Sequence, residues 1–169
     1  HHLLKRPPCH AINSNINMKS PQMKIRRALE TDKTALEEFL VFNNGESNRK
    51  LARDYIACMF SNDLRKPVFV VATIDCDIIG AAAFTEEFFT VGTWGISWVS
   101  VHQDYRNQGL GQKLVEACLE EIQSETTKPL TVILCTYPGK TQLYERVGFD
   151  EMKKDHEGGS FMIKKLENG

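Results

Sequence analysis

The sequence predicts an α+β fold in which a mixed β-sheet of about seven strands is flanked by about four helices. Strand and helix patterns alternate along the chain in the order β-α-α-β-β-β-α-β-α-β-β. At Leu110 the apolar spacing changes from the period of a strand to that of a helix. Another apolar strand follows that helix, and a strand–helix–strand unit implies a parallel pair. Because a tight turn joins an earlier strand pair as an antiparallel hairpin, the sheet is expected to be mixed.

The first half of the chain is predicted to supply a strand, two helices and a β-hairpin. Thr31 or Asp32 can cap the first helix, since their side-chain oxygens accept early N–H groups, and Gly45 follows its end. The hairpin turns at Asp75-Cys76-Asp77. The predicted elements are a strand at Met23 to Leu29, a helix ending before Asn43-Asn44-Gly45, a helix at about Asn48 to Phe60, and strands at Val68 to Ile74 and Ile78 to Thr85.

The second half is predicted to contain four strands and two helices. Trp94 and Trp98 are expected to share one strand face in the core, and Cys118 and Cys135 fall in apolar patterns that predict burial. Gly148 is expected to end the short second helix in a left-handed conformation. The elements are strands at Trp94 to Val101, Leu130 to Cys135, Phe149 to Lys153 and Phe161 to Lys164, and helices at Gly109 to Ser124 and Lys140 to Val147.

Composition limits the number of domains and the kinds of partner that the chain is expected to have. The chain has 169 residues, 41% of them hydrophobic, so it can bury one sizeable core, and a single domain is expected. Its 21 basic and 22 acidic side chains give a net charge of −1, which indicates neither a nucleic-acid partner nor an anionic membrane surface. No apolar run is long enough to span a bilayer. We expect a monomer or homodimer.

The five cysteines show no metal-binding or disulfide pattern. None forms C-x-x-C, and none lies at zinc-finger spacing from a histidine, so no metal site is predicted. Free thiols fit a cytoplasmic protein. Residues 1–17 lack periodicity and the apolar core of a secretory signal, so we interpret them as a tag or disordered leader before a single domain at 18–169.

Two closely spaced glycines follow the strand that ends at Val101. Gly109 and Gly111 open a helix, whose free N–H groups and positive dipole end favour an anion such as a phosphate. Side chains at these two positions would stop a phosphate from approaching the backbone, which is a reason for glycine there. A dinucleotide fingerprint needs a third glycine where Leu114 stands. A triphosphate loop needs Gly-Lys-Ser/Thr, whereas Gly111 is followed by Gln112-Lys113-Leu114. The remaining interpretations are an R-x-x-G-x-G loop beginning at Arg106 and a packed turn without a ligand.

The R-x-x-G-x-G loop after a Val-x-Val strand resembles the pyrophosphate loop of the GNAT acetyltransferase superfamily. A second motif, Leu143-Tyr144-Glu145-Arg146-Val147-Gly148-Phe149, is similar to the family's L-Y-E-x-x-G-F segment. Two such motifs about thirty residues apart, with a strand between them, form a strong joint signal, and the element order resembles the GNAT fold from about Met23 to Leu166. The sequence departs from the family at Tyr137 and Lys140, where many members carry asparagine and alanine, so an asparagine contact to the cofactor cannot be transferred.

The resemblance implies that acetyl-coenzyme A (acetyl-CoA) is the cofactor and acyl donor. The backbone of Val99, Ser100 and Val101 would pair with the pantetheine arm, and the Val99 N–H could polarise the thioester carbonyl. Tyr144 would protonate the departing thiolate, although packing on a helix face is the alternative for this ring. The pyrophosphate would be held by Arg106 and by the amides of Asn107, Gln108, Gly109, Leu110, Gly111 and Gln112.

The resemblance further predicts transfer to a primary amine of a small molecule or peptide by direct attack in a ternary complex. Such an amine has a pKa of about 10.4 and must lose a proton before it can attack. Glu86 and Glu87 are candidates for the base, although adjacent acids at a strand end are more often only solvated. His102 is expected to cap the strand end, and Cys135 to be a buried structural cysteine rather than an acyl carrier. The alternatives are a catalytically silent acyl-CoA-binding regulatory module and transfer to a hydroxyl group.

Overall fold

A computed structural model describes residues 21–88, 90–125 and 128–167, and the predicted leader at 1–17 lies outside them. Seven strands form one sheet in the order β1-β2-β3-β4-β5-β7-β6. The strands are β1 Met23–Arg27, β2 Val68–Ile74, β3 Asp77–Glu86, β4 Thr93–Val101, β5 Leu130–Thr136, β6 Asp150–Lys154 and β7 Ser160–Leu166. The helices are α1 Lys33–Asn44, α2 Arg49–Met59, α3 Leu110–Ser124 and α4 Gln142–Arg146. The predicted mixed sheet with four helices is therefore confirmed.

The parallel pair lies at the centre of the sheet and is short. β4 and β5 are joined only at Thr93–Thr131, Trp94–Val132 and Gly95–Ile133, whereas the other neighbours are antiparallel. Beyond Gly95, β4 continues to Val101 with β3 on one side and no paired strand on the other, within this fully described stretch. β4 and β5 thus form a fork, with backbone groups exposed along its inner edges.

The two faces of the sheet carry separate cores. One core lies under α3 and α4 and includes Leu114, Cys118 and Met162, which are fully buried. The other lies under α1 and α2, which pack on β2 to β4. On this second face, side chains of β5 and β7 such as Cys135 and Phe161 remain exposed. Among the described residues, no helix is long and apolar enough to cross a membrane.

A bulge in β4 places Trp94 and Trp98 on opposite faces, so the prediction that they share a face is wrong. Ala81 pairs with Ser100 and Ala83 with Ser97, which leaves two residues of β4 opposite one of β3. Trp98 takes the left-handed conformation with φ 56°. Its ring contacts Tyr55 of α2 at 5.8 Å between centroids, whereas the Trp94 ring lies 6.0 Å from Phe84 in the α3 core.

The two cysteines predicted to be buried have different environments. Cys118 is fully buried under α3, as predicted, whereas Cys135 is exposed, so that prediction is wrong. In β5, Val132 and Leu134 point into the α3 core, and period-two alternation therefore sends Ile133 and Cys135 to the opposite face. No helix of the described chain covers that part of the sheet.

Candidate active site

The inner edge of β4 presents backbone groups to the fork. The N–H of His102, just after β4, donates to the carbonyl of Ile79 at 2.9 Å, so His102 turns its backbone groups toward β3. Alternation then turns those of Ser100 toward β3 and those of Val99 and Val101 toward the fork. An extended chain lying in the fork could pair with them as an added strand.

The Arg106 side chain ties the loop after β4 to the end of that strand. Its Nε donates to the Val101 carbonyl at 3.1 Å, and its Nη2 donates to Asn43 Oδ1 of α1 at 3.4 Å. The buried hydroxyl of Ser100 accepts a hydrogen bond from Asn44 Nδ2 at 3.1 Å. The Ser100 side chain therefore holds β4 to α1 rather than facing the fork.

The loop residues 107–112 present backbone N–H groups at the start of α3. Asn107 and Gly109 adopt left-handed conformations, with φ 59° and 78°, and no side chain caps the helix. The Lys113 N–H donates to the Gly109 carbonyl at 3.1 Å as the first bond of the helix. The N–H groups before it, at Leu110, Gly111 and Gln112, have no intrahelical partner. This arrangement suits a pyrophosphate.

Side chains in the same loop are engaged locally. Gln108 Nε2 donates to the Asp104 carbonyl at 3.2 Å, Gln112 Nε2 donates to Glu116 at 2.9 Å, and the Leu110 side chain is buried in the core. His102 Nδ1 accepts from the Asp104 N–H at 3.2 Å, the capping contact predicted for it. The side chains at 108, 110 and 112 are therefore engaged elsewhere, and the loop offers a ligand mainly its backbone N–H groups.

Gly111 lies where the glycine loop and the motif on α4 contact each other. A Cβ at this position would lie 3.3 Å from Leu143 Cδ2 of α4 and 3.7 Å from Val101 Cγ2. A glycine here thus permits α3 to approach α4 and β4 closely, a packing reason that differs from the predicted need for phosphate access. By contrast, Gly109 has open space around it and is required by its φ.

Tyr144 lies on α4, buried among core side chains. Its ring meets Phe149 edge-on at 6.1 Å, and its hydroxyl hydrogen-bonds the side chain of Thr136 at the end of β5. Burial raises the pKa of the Tyr144 hydroxyl to about 12, against the opposing effect of Thr136. The phenol therefore stays protonated at neutral pH and can act as a hydrogen-bond donor.

A cavity of about 960 Å³ opens on the sheet face opposite α3. Its floor comes from β4 and β5 around the fork, one wall from α2, and the other wall from β6 and β7. The Glu87 side chain reaches into it, next to Gly95. A Cβ at residue 95 would collide with Glu87 Oε1, so the absence of a side chain at Gly95 gives this carboxylate its position.

The structure separates the two candidate bases. Glu87 lines the cavity, whereas Glu86 faces the other side of the sheet and pairs with Arg65 at 3.5 Å. The backbone of Glu87 is fixed at both ends, since its N–H donates to the Thr93 carbonyl at 2.8 Å and its carbonyl accepts from Arg65 Nη1 at 2.7 Å. No described residue hydrogen-bonds or ion-pairs with the Glu87 carboxylate. The backbone of Glu87 is thus fixed, and its carboxylate is available to a ligand in the cavity.

Cys135 lines the same cavity but does not have the environment of a nucleophile. Its Sγ donates to Asp155 Oδ2 at 3.7 Å. Partial burial, the negative charge of Asp155 and this hydrogen bond all raise the pKa of the thiol. The thiol therefore remains neutral near pH 7, where a thiolate would be the nucleophile.

Comparison with known proteins identifies the family. A family model described as an acetyltransferase (GNAT) domain matches residues 65–151, just over half of the chain and the part that carries β3, β4, the glycine loop, α3 and α4. The chain belongs to the GNAT acetyltransferase family. Its enzyme class is therefore acyltransferase, and the predicted family, enzyme class and cofactor, acetyl-CoA, are confirmed. No curated protein matches the sequence.

Solved structures agree with this assignment at the level of the fold. A GNAT family N-acetyltransferase, YhbS from Escherichia coli in complex with CoA, is 21% identical over 89% of this chain and 85% of its own, with a TM-score of 0.68. A GNAT acetyltransferase from Staphylococcus aureus Mu50 is 20% identical over 86% and 100%, with a TM-score of 0.67. Aminoglycoside 6'-acetyltransferase type Ii is 18% identical over 83% and 96%, also at 0.67.

The GNAT site predicted from sequence is brought together in part. Arg106 and Val101 are in direct contact, and Gly111 packs beside Leu143, so both motifs flank the inner side of β4. The role of Gly95 was missed, because a lone glycine in a strand pattern gives no hint of which side chain will occupy its space. The choice between Glu86 and Glu87 had a usable signal, since period-two alternation sends adjacent strand residues to opposite faces.

Proposed function

We propose that this acyltransferase moves the acetyl group of acetyl-CoA to a primary amine by direct attack in a ternary complex. The observation that carries the proposal is the Glu87 carboxylate, which is free of protein partners in the described chain and projects into the cavity at the fork. Family membership supports acetyl transfer from acetyl-CoA in general. The amine acceptor is supported by Glu87, because an acid beside the fork suits a nucleophile that arrives protonated.

The residues around the fork fit the cofactor. The backbone of Val99 and Val101 would hold its pantetheine arm, while Arg106 and the N–H groups of residues 107–112 would hold its pyrophosphate. When bound, acetyl-CoA supplies an acetyl group activated as a thioester. The Val99 N–H, turned toward the fork, would donate to the acetyl oxygen as negative charge develops there.

Glu87 would accept the proton that the acceptor loses. A lysine-like amine has a pKa of about 10.4, so deprotonating it at pH 7 costs about 4–5 kcal/mol. A carboxylate within reach, directly or through one water, pairs with the ammonium and takes one proton from it, so that the neutral nitrogen can attack the acetyl carbon. The nitrogen loses its second proton, to the departing thiolate or to solvent, as the carbon–sulfur bond breaks. Glu86 is excluded from this role by its position on the other face.

Tyr144 would donate a hydrogen bond to the departing sulfur. Because burial raises the pKa of this phenol to about 12, full proton transfer to a thiolate, whose conjugate acid has a pKa of about 8.5, is uphill. Stabilisation of the developing negative charge by a hydrogen bond is therefore the contribution we propose. The contact with Thr136 supports it by orienting the hydroxyl at the end of β5.

The matched pair Glu87→Gln and Glu86→Gln tests the proposal. Thiol release from acetyl-CoA is measured with amino acids, polyamines, aminoglycosides, peptide amines and simple apolar amines. We expect Glu87→Gln to lower kcat at pH 7 by about 10²–10⁴-fold and to recover at high pH, where the amine deprotonates itself. Glu86→Gln makes the same chemical change one residue away, on the other face, and is expected to stay close to wild type.

Three results would decide against the proposal. Parallel pH–rate profiles for wild type and Glu87→Gln would remove Glu87 as the base. Turnover of hydroxyl acceptors in preference to amines would change the acceptor class. Acetyl-CoA binding by calorimetry without turnover of any acceptor would favour the silent acyl-CoA-binding module. The cytoplasmic location stays a prediction.

A further inference from the structure

We infer that the acceptor is a monoamine carried on an apolar body, such as an alkyl or aryl chain, rather than a polyamine or an aminoglycoside. The inference rests on the proposed function and concerns the cavity at the fork. Its volume of about 960 Å³ lies at the upper end of the range of about 300–1,000 Å³ typical of small-molecule sites. The cavity is therefore large enough for an acceptor body beside the acetyl end of the cofactor.

The walls of the cavity are apolar and incompletely buried. Leu51 of α2, Met152 of β6 and Phe161 of β7 are 49%, 62% and 47% exposed, and all three line this one cavity. Ile133 and Ile163 add further apolar surface between them. Large apolar side chains gathered around a concave site mark a place where an apolar ligand becomes buried.

Charge in the cavity is sparse and fits a single ammonium. Glu87 is the acid at the fork, whereas Asp54 on α2 is already paired with Lys50 at 2.5 Å. Lys153 on β6 contributes a positive charge to the opposite wall. A second ammonium would find one further carboxylate, that of Asp54, which lies on the exposed side of α2, and a third would find apolar walls and a lysine. A polar group buried without a partner is costly, so this lining suits a polyamine or an aminoglycoside less well than a monoamine.

A second copy of this chain is the competing occupant of these apolar walls. The site is concave, and the Glu87 carboxylate lies in it at the point where β4 and β5 separate. A protein interface has no need of that carboxylate, whereas an amine substrate does. The observations therefore favour a small ligand.

The test compares amines that share the reacting group and differ in the body. Values of kcat/KM are measured for 2-phenylethylamine, 2-methoxyethylamine and spermidine with wild type, Phe161→Ser and Leu29→Ser. Leu29 is about as exposed as Phe161 but lies outside the cavity, so Leu29→Ser controls for the loss of an apolar side chain from the surface. Because Phe161 is half-exposed, its replacement is expected to leave the fold intact.

We expect 2-phenylethylamine to exceed each polar amine by at least tenfold in kcat/KM. Phe161→Ser is expected to lower the value for 2-phenylethylamine about tenfold and that for 2-methoxyethylamine less than twofold, with Leu29→Ser near wild type. A preference for spermidine or 2-methoxyethylamine would overturn the inference and leave the proposed N-acetyltransferase standing. Failure with every amine would instead count against the proposed function. A wild-type dimer that dissociates on Phe161→Ser in sedimentation would assign the walls to a second copy and overturn the inference.

Discussion

Replacing Gly95 by alanine moves the proposed base without changing it. The added Cβ would overlap Glu87 Oε1, and the carboxylate must shift by about 1 Å to recover normal contact, a misplacement that can cost up to about 100-fold in rate. The obstacle is the far end of a flexible side chain, so the strand itself need not move. We expect kcat at pH 7 to fall by about 10- to 100-fold, less than in Glu87→Gln, because the carboxylate is still present.

Stability gives the independent readout for this variant. Gly95 lies outside the left-handed region, so alanine fits its backbone, and a gain of about 0.4–1 kcal/mol in the free energy of unfolding is expected from the stiffer unfolded chain. Urea unfolding measures this gain, and thiol release measures kcat. A slower enzyme that is equally or more stable would show that the loss lies in the site and not in the fold.

A double-mutant cycle then decides whether the two positions act through one group. In the Glu87→Gln background, Gly95→Ala is expected to cost almost nothing further in kcat, since the carboxylate that it displaces is already gone. In the Glu86→Gln background it is expected to cost as much as in wild type. Full activity of Gly95→Ala, or equal losses in both backgrounds, would refute the reasoning.

For two other side chains, one substitution is expected to lower kcat and the other to leave it nearly unchanged. Tyr144→Phe is expected to lower kcat about tenfold or more while the Kd for acetyl-CoA by calorimetry stays within a few-fold; a wild-type rate would remove Tyr144 from the chemistry. Folding raises the pKa of Tyr144 from about 10 to about 12, so its contribution to the free energy of unfolding is complete below pH 10 and is lost as the pH rises toward 12. Over this range wild type is expected to lose about 2–3 kcal/mol of stability that Tyr144→Phe does not lose. Cys135→Ser is expected to keep kcat within about twofold, because the raised thiol pKa makes an acyl-cysteine step unfavourable; loss of activity with trapped acetyl-enzyme in mass spectra of wild type would contradict this.

Local patterns predicted nearly the whole fold. The strand at Val68–Ile74 was predicted residue for residue, and Gly148 ends α4 with the predicted left-handed conformation, φ 88°. The short helix was overestimated: Lys140 to Val147 was predicted and Gln142–Arg146 is observed, because a single helical turn has few residues to establish a period. These successes depend on interactions between residues close in the sequence.

The errors have a different cause: they concern contacts between distant segments, which a local sequence pattern does not contain. The faces of Trp94 and Trp98 depend on a bulge created by the pairing with β3, and the exposure of Cys135 depends on which helices cover β5. The contact of Gly111 with Leu143 likewise joins segments that are distant in the sequence, whereas its predicted role in admitting a phosphate stays a prediction. A bulky substitution there would therefore perturb the packing of α3 on α4 as well as any ligand contact.

The proposed site has a cofactor side and an acceptor side, and the sheet determines which kind of group each side presents. The proposed cofactor side consists of backbone groups of β4 and of the α3 start, which are available to any sequence that keeps the bulge, the fork and the glycine turn. The proposed acceptor side consists of side chains of α2, β6 and β7, together with the Glu87 carboxylate at the β3–β4 turn. Motifs can therefore indicate the acyl donor in advance, whereas the acceptor depends on which side chains three distant segments bring to one cavity. In the described part of this chain, large apolar side chains surround the Glu87 carboxylate, and this combination is the basis of the proposed preference for an apolar monoamine.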